Sequence, residues 1–153
     1  MTTSRDVQRV MAETIQSMWE KVLGIHVDIR SCEWAAYKSA QQNMDYDISS
    51  SSWSGDYLDP ATFVELWRSG GGNNCTGWGN DEFDSCLAHA RRTGDADLRR
   101  QYLQRAEECM LQAYPILPLY HSERTYLRSS RHVRGWQPRL LDNFPLDAVE
   151  VIP

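Results

Sequence analysis

Apolar residues first recur at helical spacing, with Val7, Met11, Ile15, Met18 and Val22 forming one stripe over residues 5–23. Ser4 is placed to cap the start of that helix and Gly24 to stop it. Beyond Gly24 the period shortens to two: Ile25, Val27 and Ile29 alternate with polar residues and predict a strand over residues 25–29. The pattern over residues 33–43 returns to a helix with Trp34 and Tyr37 on one side. Residues 46–53 read as a strand, although the consecutive serines Ser49 to Ser52 have low β-propensity. Two readings of those serines stand side by side, a surface that another backbone approaches closely and a plain polar edge strand.

A short helix is predicted over residues 60–68, with Asp59 as N-cap, Pro60 as first helical residue and Phe63, Leu66 and Trp67 inward. A Gly- and Asn-rich loop follows over residues 69–80. Asn80 can cap a helix whose apolar face is Phe83, Cys86, Leu87 and Ala90. Asp95 can cap the next, with Leu98, Tyr102, Ala106, Cys109 and Ala113 on one side and Pro115 at its end. From Ile116 the chain reads as extended, with strands at residues 117–122 and 124–127. A coil from Trp136 to Pro145 then leads to a last strand over residues 149–152.

The alternation of helices and strands predicts an α/β fold, and 153 residues suffice for one buried core. A net charge of −5 without any basic run excludes a nucleic-acid partner. No apolar run reaches the roughly 18 residues of a membrane span, and Met1-Thr2-Thr3-Ser4-Arg5 has no apolar core of a signal peptide. Cys32, Cys75, Cys86 and Cys109 form no C-x-x-C pair, so no zinc site is expected. Cys75 and Cys86 are open to pairing in an oxidising compartment, against free and partly buried thiols as the simpler reading. His26, His89, His121 and His132 lack metal-ligand spacing, no G-x-S-x-G elbow occurs, and Gly70-Gly71-Gly72 lacks the Lys-Ser/Thr of a phosphate loop. No catalytic residue, metal or cofactor is expected.

The chemistry concentrates in Trp53-Ser54-Gly55-Asp56-Tyr57-Leu58-Asp59-Pro60. Asp59 is accounted for as a cap, which leaves Asp56 in the turn between Trp53 and Tyr57. A carboxylate walled by aromatic rings suits a cation such as a peptide's amino terminus. The alternative is that Asp56 bonds the amides of its own turn.

The ordered strings carry a resemblance. They begin with Ile15-Gln16-Ser17-Met18-Trp19, Leu23-Gly24-Ile25-His26-Val27, Glu33-Trp34 and Asp45-Tyr46-Asp47-Ile48. The Asp56 turn comes next, then Gly72-Asn73-Asn74, Thr76-Gly77-Trp78 and Phe83-Asp84. Ala106-Glu107, Pro115-Ile116-Leu117-Pro118-Leu119-Tyr120 and Val133-Arg134-Gly135-Trp136 complete the series. The whole chain resembles the C-terminal part of the oligopeptide- and dipeptide-binding proteins of ABC importers.

The resemblance implies a C-terminal fragment of a two-lobed, type II periplasmic-binding-protein-like fold. Residues 1–114 would lie in the second lobe, and residues 115–153 would cross the hinge to complete the first. The segment would carry one wall of a ligand cleft. Its partners would be a peptide, the absent N-terminal lobes and, through the full-length parent, ABC permease subunits in the periplasm or at the cell surface. Asp56 would receive the peptide's α-ammonium, with Tyr57 beside it. Trp34 and Trp53 would wall side-chain pockets, main-chain groups of Ser52 and Ser54 would bond an extended peptide, and Asn74 and Tyr120 would serve supporting or hinge roles. Gln41 and Ser50 stand where members preferring short peptides carry arginines for the ligand's carboxylate, which opens longer peptides as ligands. A non-peptide solute such as a sugar or nickel complex, or a non-binding interaction module, are the alternatives.

Overall fold

The computed structural model describes every residue except Arg5, Arg124, Leu140, 142–145 and Pro153, and the side chains of Asp6 and Leu146. Two compact units emerge, Met1–Trp53 with Trp67–Gly79, and Ser54–Leu66 with Asn80–Pro153.

In the first unit, β1 (Thr2–Thr3) leads into α1 (Asp6–Leu23), and β2 (Ser31–Cys32) leads into α2 (Trp34–Gln42). β1 and β2 pair in parallel with Thr2 opposite Ser31 and Thr3 opposite Cys32. Gly24 stops α1 as its position predicts: it adopts φ +67 and its N–H donates to the Glu20 carbonyl. The strand expected over residues 25–29 does not form. The Gln16 side chain donates to the Val27 carbonyl, so this run is held by a helix side chain instead of a ladder. The expected strand over residues 46–53 is also irregular. The Tyr37 hydroxyl donates to the Ser50 carbonyl, Ser50 N–H donates to the Met1 carbonyl, and Gln41 Nε2 donates to Ser49 Oγ at 3.2 Å. Tyr37 and Gln41 are both buried, so α2 grips the serine segment from below.

The α1 stripe is the largest departure. Val7, Met18 and Val22 are 73, 58 and 79% exposed, although they share one helical face. Met11 and Ile15 in the middle of the stripe are half-buried, so the amphipathic pattern forms its helix but both ends of the apolar face stay open among the described residues.

In the second unit, α3 (Ala61–Val64) passes into one 3₁₀ turn, Glu65–Trp67. Ala61, Thr62, Val64 and Leu66 are buried while Phe63, expected inward, is exposed. The tightened final turn changes which side chains share a face. α4 (Asp81–Arg92) and α5 (Ala96–Ala113) form an antiparallel hairpin with both caps as expected. Asn80 Oδ1 accepts from Phe83 N–H at 2.9 Å, and Asp95 Oδ1 accepts from Asp97 and Leu98 N–H at 2.9 Å. Phe83, Cys86, Leu87 and Ala90 are buried from α4, as expected. From α5 the buried residues are Leu103, Ala106 and Met110, a face rotated from the expected one, of which only Ala106 remains. Rim positions are polar or aromatic: Arg105 forks onto Glu82 and His89 stacks on Tyr102 at 5.0 Å. Tyr114 ends α5 in the left-handed conformation, one residue ahead of Pro115.

No strand forms over residues 117–122 or over the described part of residues 124–127, where Leu117, Leu119, Tyr120 and Leu127 are exposed. Arg124 and the end of the coil expected through Pro145 lie outside the described residues. The last expected strand is present as β4 (Glu150–Val151), antiparallel to β3 (Val133–Arg134). All four cysteines are free thiols, and burial pushes the Cys86 thiol upward. Among the described residues no cluster suits a metal ion, and no helix is long and apolar enough to cross a membrane.

Burial predicts an uneven mutational map. Phe83→Ala, at 0% exposure, should cost about 3–5 kcal/mol in urea unfolding. Val22→Ser should stay within about 0.5 kcal/mol, and the chain should brighten a hydrophobic dye through the open α1 face.

Candidate ligand-binding site

The second unit begins with the turn that holds Asp56. Its backbone N–H donates to Thr62 Oγ1 at 2.9 Å. Asp59 N–H donates to the Tyr57 carbonyl, Thr62 N–H donates to the Asp59 carbonyl at 3.1 Å, and Asp59 Oδ1 accepts from Ala61 N–H at 2.8 Å. Asp59 thus caps α3 from the side chain, as its position before Pro60 predicts. Within the turn the Asp56 amide is served by Thr62 and the Asp59 amide by the Tyr57 carbonyl, and the Asp56 carboxylate takes part in neither bond. The Asp56 side chain is exposed, and its carboxylate has no hydrogen bond or ion pair among the described residues.

Two ion pairs tie this turn to the helical hairpin. Arg99 on α5 meets Asp59 with a two-pronged fork, 2.9 Å to each carboxylate oxygen. That fork holds the Asp59 carboxyl below the usual carboxylate range, with the Ala61 N–H helping and partial burial opposing. Arg91 on α4 donates to Glu65 at 2.8 Å, and the Tyr57 hydroxyl donates to the other Glu65 oxygen at 3.4 Å. Partial burial and then the Glu65 charge push the Tyr57 phenol upward. Neither arginine was singled out by the sequence, because each partner lies tens of residues away.

The first unit holds Trp34, Ser52, Trp53 and Asn74. Trp34 stacks on Tyr37 with ring centroids 5.7 Å apart, and Lys38 Nζ lies 5.7 Å from the Trp34 centroid. Trp34 remains 60% exposed and Trp53 42%. Among the described residues, backbone groups from Ser51 through Gly55 make no hydrogen bond, Ser52 and Ser54 included. Asn74 is different. Its amide donates to the carbonyls of Trp67, Arg68 and Trp78, and its oxygen accepts from Thr76 N–H and Oγ1. Those bonds commit Asn74 to organising its own loop. Tyr120 in the second unit is exposed, in the tail that follows α5.

Gln41 and Ser50 are occupied as well. Gln41 Nε2 bonds Tyr37 Oη at 2.8 Å and Ser49 Oγ, and the Ser50 carbonyl accepts from Tyr37. Neither side chain is cationic.

The model of the bacterial extracellular solute-binding proteins, family 5, middle region, matches residues 1–75. The oligopeptide-binding protein OppA of Bacillus subtilis is 36% identical over 124 residues, 80% of this chain and 23% of the relative. The chain belongs to the family 5 extracellular solute-binding proteins. The periplasmic murein peptide-binding protein MppA of Escherichia coli is 29% identical over 97% of the chain and 26% of its own length. A solved periplasmic oligopeptide-binding protein of Borrelia burgdorferi superposes with TM-score 0.87 at 32% identity, covering 99% of this chain and 31% of that one.

The fold is therefore part of the two-lobed, periplasmic-binding-protein type, and the chain spans about a quarter of the length of the curated relatives it matches. Family 5 is a family of solute-binding proteins.

Two outcomes follow from these contacts. Because the folded Asp59 value lies below its unfolded one, its contribution is fully present above the unfolded value of about 3.9. It is lost as the pH falls through the depressed folded value. Asp59→Asn should remove this acid-limb slope and about 1 kcal/mol, after discounting for its solvent exposure, in urea unfolding followed from pH 7 to pH 2. Asn74→Ala, which strips the partner from three carbonyls, should cost about 1–3 kcal/mol in the same assay at neutral pH.

Proposed function

We propose that this segment binds the amino end of an extended peptide within a two-lobed importer-associated protein, with Asp56 as receptor for the α-ammonium. The carrying observation is the exposed Asp56 carboxylate, which has no partner among the described residues while its own amide is held by Thr62. Immediately before it, the backbone through Ser52 and Ser54, which makes no hydrogen bond among the described residues, offers donors and acceptors to a peptide main chain. Tyr57, next to Asp56 in the chain, is the aromatic candidate of the second unit, and Trp34 and Trp53, 60% and 42% exposed, are those of the first. Tyr120 is a hinge-side candidate, whereas Asn74 acts through its loop. The similarity to an oligopeptide-binding and a murein peptide-binding protein favours a peptide over a sugar or a nickel complex.

In this reading residues 1–114 belong to the second lobe and residues 115–153 cross the hinge. The remaining lobes cover the open α1 face and close the cleft. The full protein works in the periplasm or at the cell surface, delivers its ligand to ABC permease subunits and performs no catalysis. With Gln41 and Ser50 uncharged and internally bonded, the ligand's carboxylate is not met there, so recognition is fixed at the amino end and open in length.

The test is calorimetry on a two-lobed relative in which this segment replaces its equivalent. Asp56→Asn should weaken a free-amine peptide by about 1.5–3 kcal/mol. Nα-acetylation of the peptide should do similar damage, and the two changes should not add. An acetylated peptide that binds the unmutated protein as tightly as the free one would falsify the assignment.

A further inference from the structure

We propose that Arg99 is a positioning residue for the Asp56 carboxylate, acting through Asp59 and Thr62; this rests on Asp56 being the receptor for the peptide's amino end. The Asp56 amide is held by Thr62 Oγ1 at 2.9 Å, and Thr62 is itself 4% exposed. Gly55 lets the turn close on that side chain. A Cβ there would sit 3.1 Å from Thr62 Cγ2 and 3.3 Å from Phe63 Cζ. Thr62 is in turn fixed by its N–H to the Asp59 carbonyl, and Asp59 Oδ1 caps Ala61.

All of those bonds are local, and α3 is only four residues long, far too short to hold itself in water. Burial of Ala61, Thr62 and Val64 holds the body of the helix. At its start, next to the Asp56 turn, Arg99 adds a fixed contact from 40 residues away, with NH1 and NH2 each 2.9 Å from an Asp59 oxygen. It sits in the first turn of α5, the helix whose Leu103, Ala106 and Met110 are buried in the hairpin core. A two-pronged fork fixes direction as well as distance. The Arg91–Glu65 pair secures the far end of the α3 segment, which leaves the Asp56 end to Arg99.

The primary test is amide hydrogen exchange on the 153-residue chain. Thr62→Val and Arg99→Gln should each lower protection of the Asp56 amide about tenfold, with Leu87 and Leu103 amides unchanged. Arg99→Lys, which keeps the charge and loses the fork, should fall between. Loss at Asp56 in Thr62→Val but none in Arg99→Gln overturns the inference and leaves the proposed function standing. If Arg99→Gln also loosens Leu103, Asp59→Asn must reproduce the loss at Asp56 with the hairpin intact, and its failure to do so overturns the inference equally.

Peptide affinity in the segment-replaced relative separates positioning from general support. Arg99→Gln should weaken a free-amine peptide about fivefold and leave its Nα-acetylated form unchanged. Equal weakening of both peptides reduces Arg99 to a structural residue. An unmutated protein indifferent to acetylation removes the role of Asp56, and that of Arg99 with it, whatever the exchange rates show.

Discussion

Backbone polar groups that leave regular structure still need partners, and in this chain side chains supply them. Tyr37 serves the Ser50 carbonyl, Tyr46 serves Cys75, Gln16 serves Val27, and Asn74 serves three carbonyls of one loop. Thr62 and Asp59 do the same for the turn at Asp56. With ladders of two residues per strand among the described residues, these bonds decide the course of the irregular segments. Each is a single contact between residues of definite size and reach, so it fixes geometry where a loop would otherwise fluctuate.

Local signals were the most legible. Gly24, Asn80 and Asp95 end or begin their helices where residue chemistry places them, because a cap depends only on neighbours within a turn. The α4 face was legible for the same reason. Strands were not: the alternation over residues 25–29 records a tendency, but a strand needs a partner, and the parallel partner of β1 is Ser31–Cys32. The α5 face was misjudged by a rotation. Leu98 and Leu103 are equally apolar, and only the opposing helix decides which is covered, Leu103 at 6% exposure against Leu98 at 40%. In the candidate site Asp56, Trp53 and Asp59 stood out as a motif. Arg99 and Thr62 did not, since an ion pair 40 residues apart and a buried hydroxyl leave no mark on local spacing.

The two halves of the Asp56 region divide their labour. Asp59 has its charge answered by Arg99, and its carboxyl is held low as a result. Asp56, three residues earlier, has its amide answered and its charge without a partner among the described residues. Two carboxylates of similar intrinsic acidity therefore differ in role through the geometry of one short turn. The Tyr57 hydroxyl, turned to Glu65, belongs to the anchored side.

The stretch from Ser51 to Gly55, whose backbone makes no hydrogen bond among the described residues, has a consequence for solubility. A row of free backbone donors and acceptors that suits a guest peptide suits a second copy of the same row just as well, and exposed edges of this kind seed aggregation. Four of its five residues are serine or glycine, which are poor strand formers, and Trp53 is its single apolar side chain, too little for two such rows to zip together. The composition that made this segment look like a weak strand thus disfavours its pairing with itself.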